Sequence, residues 1–298
     1  MIDRKIKNEK GFSLIELMLA AALGIVVLGA AIHTYTKQDS LLRDESAGVR
    51  ARDHARLAMD ALLPNIRLAG YGFPAGDSGV PRAAWGITNA DVTTLTYRAS
   101  MQNISTNVAR DAVATATGLV VPLDSANNIF FVDDTVVFFD VVTPTNWAVR
   151  TVSAVGNNVN LGDPVNYDTL SMSGVQNGFA VQPQAGLAPV VVHKYHTVVC
   201  TYNAGAQTIT ITDDQGTADG GTDDVTTTIA NNVTDLTFRY FDAAGAELTV
   251  LTTGDPTNAT ALGNVREIQA SITVVDPNSN GEIDTTLMTN LHLRNMGI

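Results

Sequence analysis

Lys10-Gly11-Phe12-Ser13-Leu14-Ile15-Glu16-Leu17-Met18 opens an apolar run that lasts to Ile32 and carries a single charge, Glu16. From Phe12 to Ile32 is 21 residues, which as an α-helix spans about 31 Å, one bilayer hydrocarbon core. A carboxylate one turn inside such a helix costs about 3 kcal/mol if immersed without a partner. Upstream, Arg4, Lys5, Lys7 and Lys10 outnumber Asp3 and Glu9. A basic segment ahead of an apolar span favours a cytoplasmic N-terminus and an exported bulk. Lys37, Arg43, Arg50 and Arg52 lie beyond the span and reduce that asymmetry.

The stretch GFSLIELM resembles the processing site of type IV prepilins and of type II secretion pseudopilins. The resemblance implies a leader peptide over residues 1–11, cut by a prepilin peptidase between Gly11 and Phe12. It also implies N-methylation of Phe12 and an assembly role for Glu16, paired with the terminal amine of a neighbouring subunit. The charges suit this. Cleavage exposes an α-amine four residues from Glu16 that is largely cationic at neutral pH. Two unit charges 4 Å apart gain about 4 kcal/mol at an effective dielectric near 20. A secretory signal cut after Gly29-Ala30-Ala31, or a plain anchor, would also fit an apolar run behind basic residues. Neither accounts for a glutamate placed five residues after a glycine.

Past the span the helical pattern persists. Ala55, Ala58, Met59, Leu62, Ile66 and Ala69 recur at three- and four-residue steps, with Arg52, Asp53, Arg56, Asp60 and Arg67 mostly off that stripe. One long helix is expected from Phe12 to about Leu68, ended by Gly70, Gly72 and Pro74, with Pro64 kinking it or stopping it early. Small residues in the apolar half, among them Ala20, Gly24, Gly29 and Ala30, permit close helix approach. The run Ile66-Arg67-Leu68-Ala69-Gly70-Tyr71-Gly72 resembles the stem end of PilW-type minor pilins. Asn232–Tyr240, Val265–Ile268 and Leu293-Arg294-Asn295 resemble their C-terminal pieces, a grammar shared with J-type pseudopilins.

The rest reads as β. Segments Val92–Arg98, Thr135–Val142, Trp147–Val155, Val190–Tyr202, Gln207–Thr212, Val233–Phe241, Glu247–Leu251, Val265–Val275 and Thr285–Leu293 are rich in Val, Ile, Thr and aromatics. Turns are expected at Gly156-Asn157-Asn158, Asn203-Ala204-Gly205 and Asp242-Ala243-Ala244-Gly245, and a long polar loop over Leu161–Ala188. Strand–helix–strand alternation is missing, so the sheet should be mainly antiparallel. The expected fold is α+β and pilin-like: leader 1–11, helix 12–70 with 12–32 in the membrane, and a β-rich periplasmic or extracellular domain over 71–298.

Charge and chemistry narrow the function. The formal charge of −12 becomes −14 once a leader with four basic and two acidic residues is lost. Residues 201–298 hold thirteen Asp or Glu against three Arg, which disfavours a nucleic-acid partner. The single cysteine, Cys200, allows no internal disulfide and reads as a buried thiol on the face of Val198 and Tyr202. Gly76-Asp77-Ser78-Gly79 echoes a serine-protease loop, but His33 and His54 lie on the stem, so a turn is the better reading. His193 and His196 fall on opposite faces of a strand and make a poor metal pair.

Asp276, Asn278, Asn280, Glu282 and Asp284 place oxygen side chains at the odd positions of an EF-hand-like loop with Gly281 at its sixth. Leu287 stands where the bidentate glutamate belongs, so weak calcium binding and a solvated Asp-Pro-Asn turn both remain. Asp213, Asp214, Asp219, Asp223 and Asp224 lack that spacing and read as a flexible, solvated tip, with loosely bound calcium as the alternative. No catalytic set emerges, and an enzyme is not expected. The resemblance implies a minor pilin of the inner membrane and then the pilus. Its implied partners are the major pilin, other minor pilins, the prepilin peptidase and methylase, and the inner-membrane assembly platform. A J-type pseudopilin and a calcium-dependent tip adhesin are the alternatives.

Overall fold

The structure, a computed structural model, describes residues 13–73, 86–110, 117–122, 129–141, 147–162, 164–172, 190–249, 262–276 and 284–293. Its first element is α1, Leu14–Arg67, a helix of 54 residues that is about 80 Å long. Ala47, Ala51, Ala55, Ala58, Met59, Leu62 and Ile66 form its buried face, small residues first and large ones last. Small side chains let the sheet approach the helix axis, and Leu62 and Ile66 then fill the core. Pro64 neither stops the helix nor shortens it, since α1 runs on to Arg67. The carbonyl its ring deprives of a donor is that of Asp60, on the exposed side where water can take it.

Fifteen strands follow among the described residues. They are β1 (Ile87–Ala90), β2 (Thr94–Ala99), β3 (Ser105–Asn107), β4 (Gly118–Pro122), β5 (Thr135–Asp140), β6 (Trp147–Val159) and β7 (Tyr167–Met172). Then come β8 (Val190–Lys194), β9 (His196–Asn203), β10 (Thr208–Asp213), β11 (Val225–Asn231), β12 (Val233–Phe241), β13 (Glu247–Leu248), β14 (Glu267–Val275) and β15 (Asp284–His292). Every strand pairing among the described residues is antiparallel.

Two sheets, β1-β2-β9-β10-β11 and β13-β12-β14-β15, share one core with the stem. α1 lies against β14, β15 and β11. Phe238 N–H donates to the Val92 carbonyl at 2.7 Å and Val233 N–H to that of Gln207 at 3.0 Å, so the two sheets adjoin through their backbones. The fold is thus α+β, a long N-terminal helix packed on antiparallel sheet.

The third sheet, β3-β8-β5-β6-β7-β4, has a core of its own built from Leu119, Val121, Phe130, Val136, Phe138, Val152, Leu170 and Val192, among others. Its edge strands β3 and β4 touch, and the amide of Ala109, just past β3, donates to the Val120 carbonyl at 2.7 Å. The sheet therefore curls into a nearly closed six-stranded barrel. It is inserted between β2 and β9, which are paired neighbours up to Ala99 opposite His196.

Several sequence expectations change here. Val190–Tyr202 is two strands, because the chain leaves the barrel at Tyr195 and enters the first sheet at His196. Gly156-Asn157-Asn158 is no turn: β6 continues through it with shifted register, Gly156 lying under Thr169 and Asn158 at φ 55°. The loop expected over Leu161–Ala188 contains β7. The turns at Asn203-Ala204-Gly205 and Asp242–Gly245 are present, the second closed by Asp242 Oδ1 accepting from the amides of Ala244 and Ala246.

Candidate functional site

Ser13 is the N-cap of α1, and its carbonyl accepts from Leu17 N–H at 3.1 Å. Glu16 lies in the first turn, where the unpaired amides of a helix start favour a negative charge. Gly11 and Phe12 lie outside the described residues. Around and beyond Glu16 the helix is bare: Leu14, Ile15, Leu17, Leu19, Ile25, Val27 and Ile32 are all exposed, Leu14 by 78 %. A soluble chain does not leave so long an apolar cylinder in water. Nothing lies within 4 Å of where a Cβ would stand on Gly24 or Gly29, so another helix can approach the backbone closely at both. Among the described residues this is the one helix long and apolar enough to cross a membrane.

At the other end, the stem is fixed to its head by backbone. Gly70 and Gly72 take φ of 75° and 82°, and Gly70 N–H donates to the Arg98 carbonyl at 2.9 Å. Ser100 N–H returns a bond to the Tyr71 carbonyl at 2.8 Å. A Cβ on Gly72 would stand 2.4 Å from that of Ser100. The Ala69–Gly72 run, read in sequence as a helix stop, is also the strap that holds β2 against the stem. Higher up, Arg50 reaches from the helix to Asp276 at the end of β14, both Nε and Nη2 lying 2.9 Å from Oδ2. Asp276 is 1 % exposed and Arg50 about half.

Of the residues in the calcium-like loop, Asp276 is therefore buried with an arginine on it, and Asp284 opens β15 exposed, opposite Val275. Asn278, Asn280 and Glu282 lie outside the described residues, as does Gly76-Asp77-Ser78-Gly79. Cys200 is buried as a free thiol, and burial pushes it up to about 12. His193 stacks on Phe139 at 5.7 Å, and desolvation lowers its pKa.

The groups that sequence reasoning missed sit where barrel and stem lobe join. Lys194 Nζ lies 2.7 Å from Asp134 Oδ1, the pair almost wholly buried. Thr135 N–H donates to the Gly216 carbonyl and Ala218 N–H to that of Asp133, both at 2.8 Å. The first half of the acidic segment is thus docked on the barrel and is not a solvated tip. Asp214 Oδ1 accepts from Thr197 and Gly216 amides at 2.7 and 2.8 Å. Desolvation still raises its pKa, against those bonds and the nearby His196. His196 Nδ1 lies 2.8 Å from Asp213 Oδ1. The side-chain partners of Asp134 and Asp213 lie 60 and 17 residues away from them, and only the acidic count could have pointed to the segment.

Residues 6–32 match the family model described as the prokaryotic N-terminal methylation motif. No curated protein and no solved structure matches the chain. The match covers Lys7, Lys10, Gly11 and the apolar half of the stem together. With a bare apolar helix carrying Glu16 in its first turn, the motif supports a type IV pilin- or pseudopilin-like protein, processed by a prepilin peptidase, anchored by its stem and assembled with other pilins.

Proposed function

We propose that the chain is a PilW-type minor pilin, a structural subunit that helps initiate or cap a type IV pilus and works by assembly rather than catalysis. Cleavage falls between Gly11 and Phe12, and Phe12 becomes the methylated terminus. The observation that carries this reading is the unprotected apolar half-helix from Leu14 to Ile32, which falls within the methylation motif and carries Glu16 in its first turn. Such a surface is stable in a bilayer and then only among other helices of the same kind. In the membrane the N-terminus faces the cytoplasm and the head the periplasm; in the pilus the head is displayed.

Two measurements test it. The intact N-terminal peptide of protein from native membranes should begin at Phe12 with one added methyl; a terminus near Ala31 would remove the filament reading. A deletion strain should lose pili and keep protein secretion. Loss of secretion with pili intact would make the chain a J-type pseudopilin instead. The size of the head, about 230 residues beyond the stem, favours the pilus, since a J-type head is expected to be smaller.

Calcium at Asp276–Asp284 belongs to the adhesin version of the proposal, and there an ion must share Asp276 with Arg50. Weak binding is the expectation: chelation should move the melting midpoint by less than about 2 °C, given that 1 kcal/mol shifts a domain of this size by 2–4 °C. A larger fall would assign the loop a structural ion.

A further inference from the structure

In the first sheet Asp213 of β10 stands opposite Val198 of β9, which in turn stands opposite Tyr97 of β2. Directly opposed residues share a face, and so do residues two apart on one strand. His196, Val198, Tyr97 and Asp213 therefore point to the same buried side. Asp214 follows at once, half-buried. One donor atom from each of His196, Asp213 and Asp214 lies within 4.8 Å of the other two. An independent observation lies beside them. Tyr97 is fully buried, its hydroxyl has no hydrogen-bond partner among the described residues, and the Asp213 carboxylate acts on it electrostatically. Buried hydroxyls are rarely left so. A cavity of about 240 Å³ lined by Asp213, Gln215, Asn65 and Met101 gives this side room for water.

We infer that His196, Asp213 and Asp214 bind a divalent first-row cation at the joint between barrel and stem lobe, with a water on the ion facing the Tyr97 hydroxyl. Nδ1 of His196 and Oδ1 of Asp213 are 2.8 Å apart. With bonds of about 2.1 Å, that separation subtends about 84° at the ion, close to octahedral and far from the tetrahedral angle zinc prefers. A nitrogen in the set disfavours calcium and magnesium, which take oxygen. The ion replaces the proton shared by His196 and Asp213. Because the same segment holds β5 through Gly216 and Thr217, occupancy stiffens the joint.

The test is a Mn2+ titration of the full processed chain in detergent micelles, followed by electron paramagnetic resonance. One ion per chain at micromolar concentration with an imidazole-nitrogen coupling is the expected result. Asp213→Asn and Asp214→Asn retain an oxygen for the local amides and should each weaken binding at least tenfold. Substituting Asp219, Asp223 and Asp224 by Asn should leave it within twofold. Absence of bound Mn2+, or an ion without nitrogen coupling, overturns the assignment using the unmodified chain alone. So does an ion lost only with the three exposed aspartates.

Discussion

Glu16 stands one turn into a helix whose next sixteen residues carry no charge, and its position makes sense only if another charge meets it. In the proposed reading the amine exposed at Phe12 supplies one, and pairing would gain about 4 kcal/mol at an effective dielectric near 20. Glu16→Ala should therefore leave the terminus at Phe12 unchanged while incorporation into pili falls more than tenfold, read by N-terminal mass and by immunoblot of sheared filaments. Normal incorporation would sink the pairing argument. Glu16 was legible because its oddity is local. Asp276 was not, because what it meets is Arg50, 226 residues away, and sequence alone offered calcium as readily. Arg50→Ala takes the guanidinium away from a buried carboxylate. As the arginine is half exposed, the cost should be about 1–3 kcal/mol rather than the 3–5 of a fully buried pair. Urea unfolding of the head would measure it, and an unchanged midpoint would mean water replaces the guanidinium.

The long elements were legible and their joints were not. α1 announced itself through apolar content and then through Ala55, Ala58, Met59, Leu62 and Ile66 at helical spacing, all of them buried. β12 was foreseen to the residue, Val233–Phe241, since alternation and flanking turn residues agreed. β7, Tyr167–Met172, was lost in a polar stretch: its burial comes from β6 and β4 on either side, not from its own composition. The Gly156-Asn157-Asn158 misreading shows that turn chemistry also serves bulges, which need the same backbone freedom. Glycine at 72 was read as a helix stop, yet contact with Ser100 constrains it as tightly as its φ of 82° does. Gly72→Ala combines a left-handed backbone with an overlap that Ser100 cannot relieve by rotating its hydroxyl. It should destabilise the head by about 2–4 kcal/mol, seen as a lower denaturant midpoint with unchanged slope. A loss below 0.5 kcal/mol would mean that the strap does not hold stem to sheet.

Across the whole molecule, the chain builds one lobe on the stem and hangs a second from a hairpin. β2 and β9 pair from Thr94–Thr201 to Ala99–His196, so the 96 residues between Ala99 and His196 occupy the place of a tight turn. Such an insertion is tolerated because closure entropy grows only with the logarithm of length. Reducing the loop to two residues regains about 3 kcal/mol on that scale. Against this stand the contacts at the joint: Gly216 and Thr217 on β5, Phe73 on Tyr195 at 5.5 Å, and Arg98 over the same ring at 5.4 Å. Phe73 would become solvent-exposed, at about 2 kcal/mol, and the segment from Asp214 to Ala218 would lose its dock. The two sides nearly cancel, and the stem lobe loses only Met101 from the margin of its core while keeping α1 and both sheets. A chain in which Asn-Gly replaces residues 100–195 should therefore still unfold cooperatively, with a denaturant slope reduced in proportion to the surface removed. In cells it should still be cut at Gly11 and enter the membrane, since both depend on the stem. If pili also form, the barrel serves what the filament meets outside; if they do not, it serves assembly. A non-cooperative melt would mean that the joint, with its buried Lys194–Asp134 pair, makes the two lobes one folding unit.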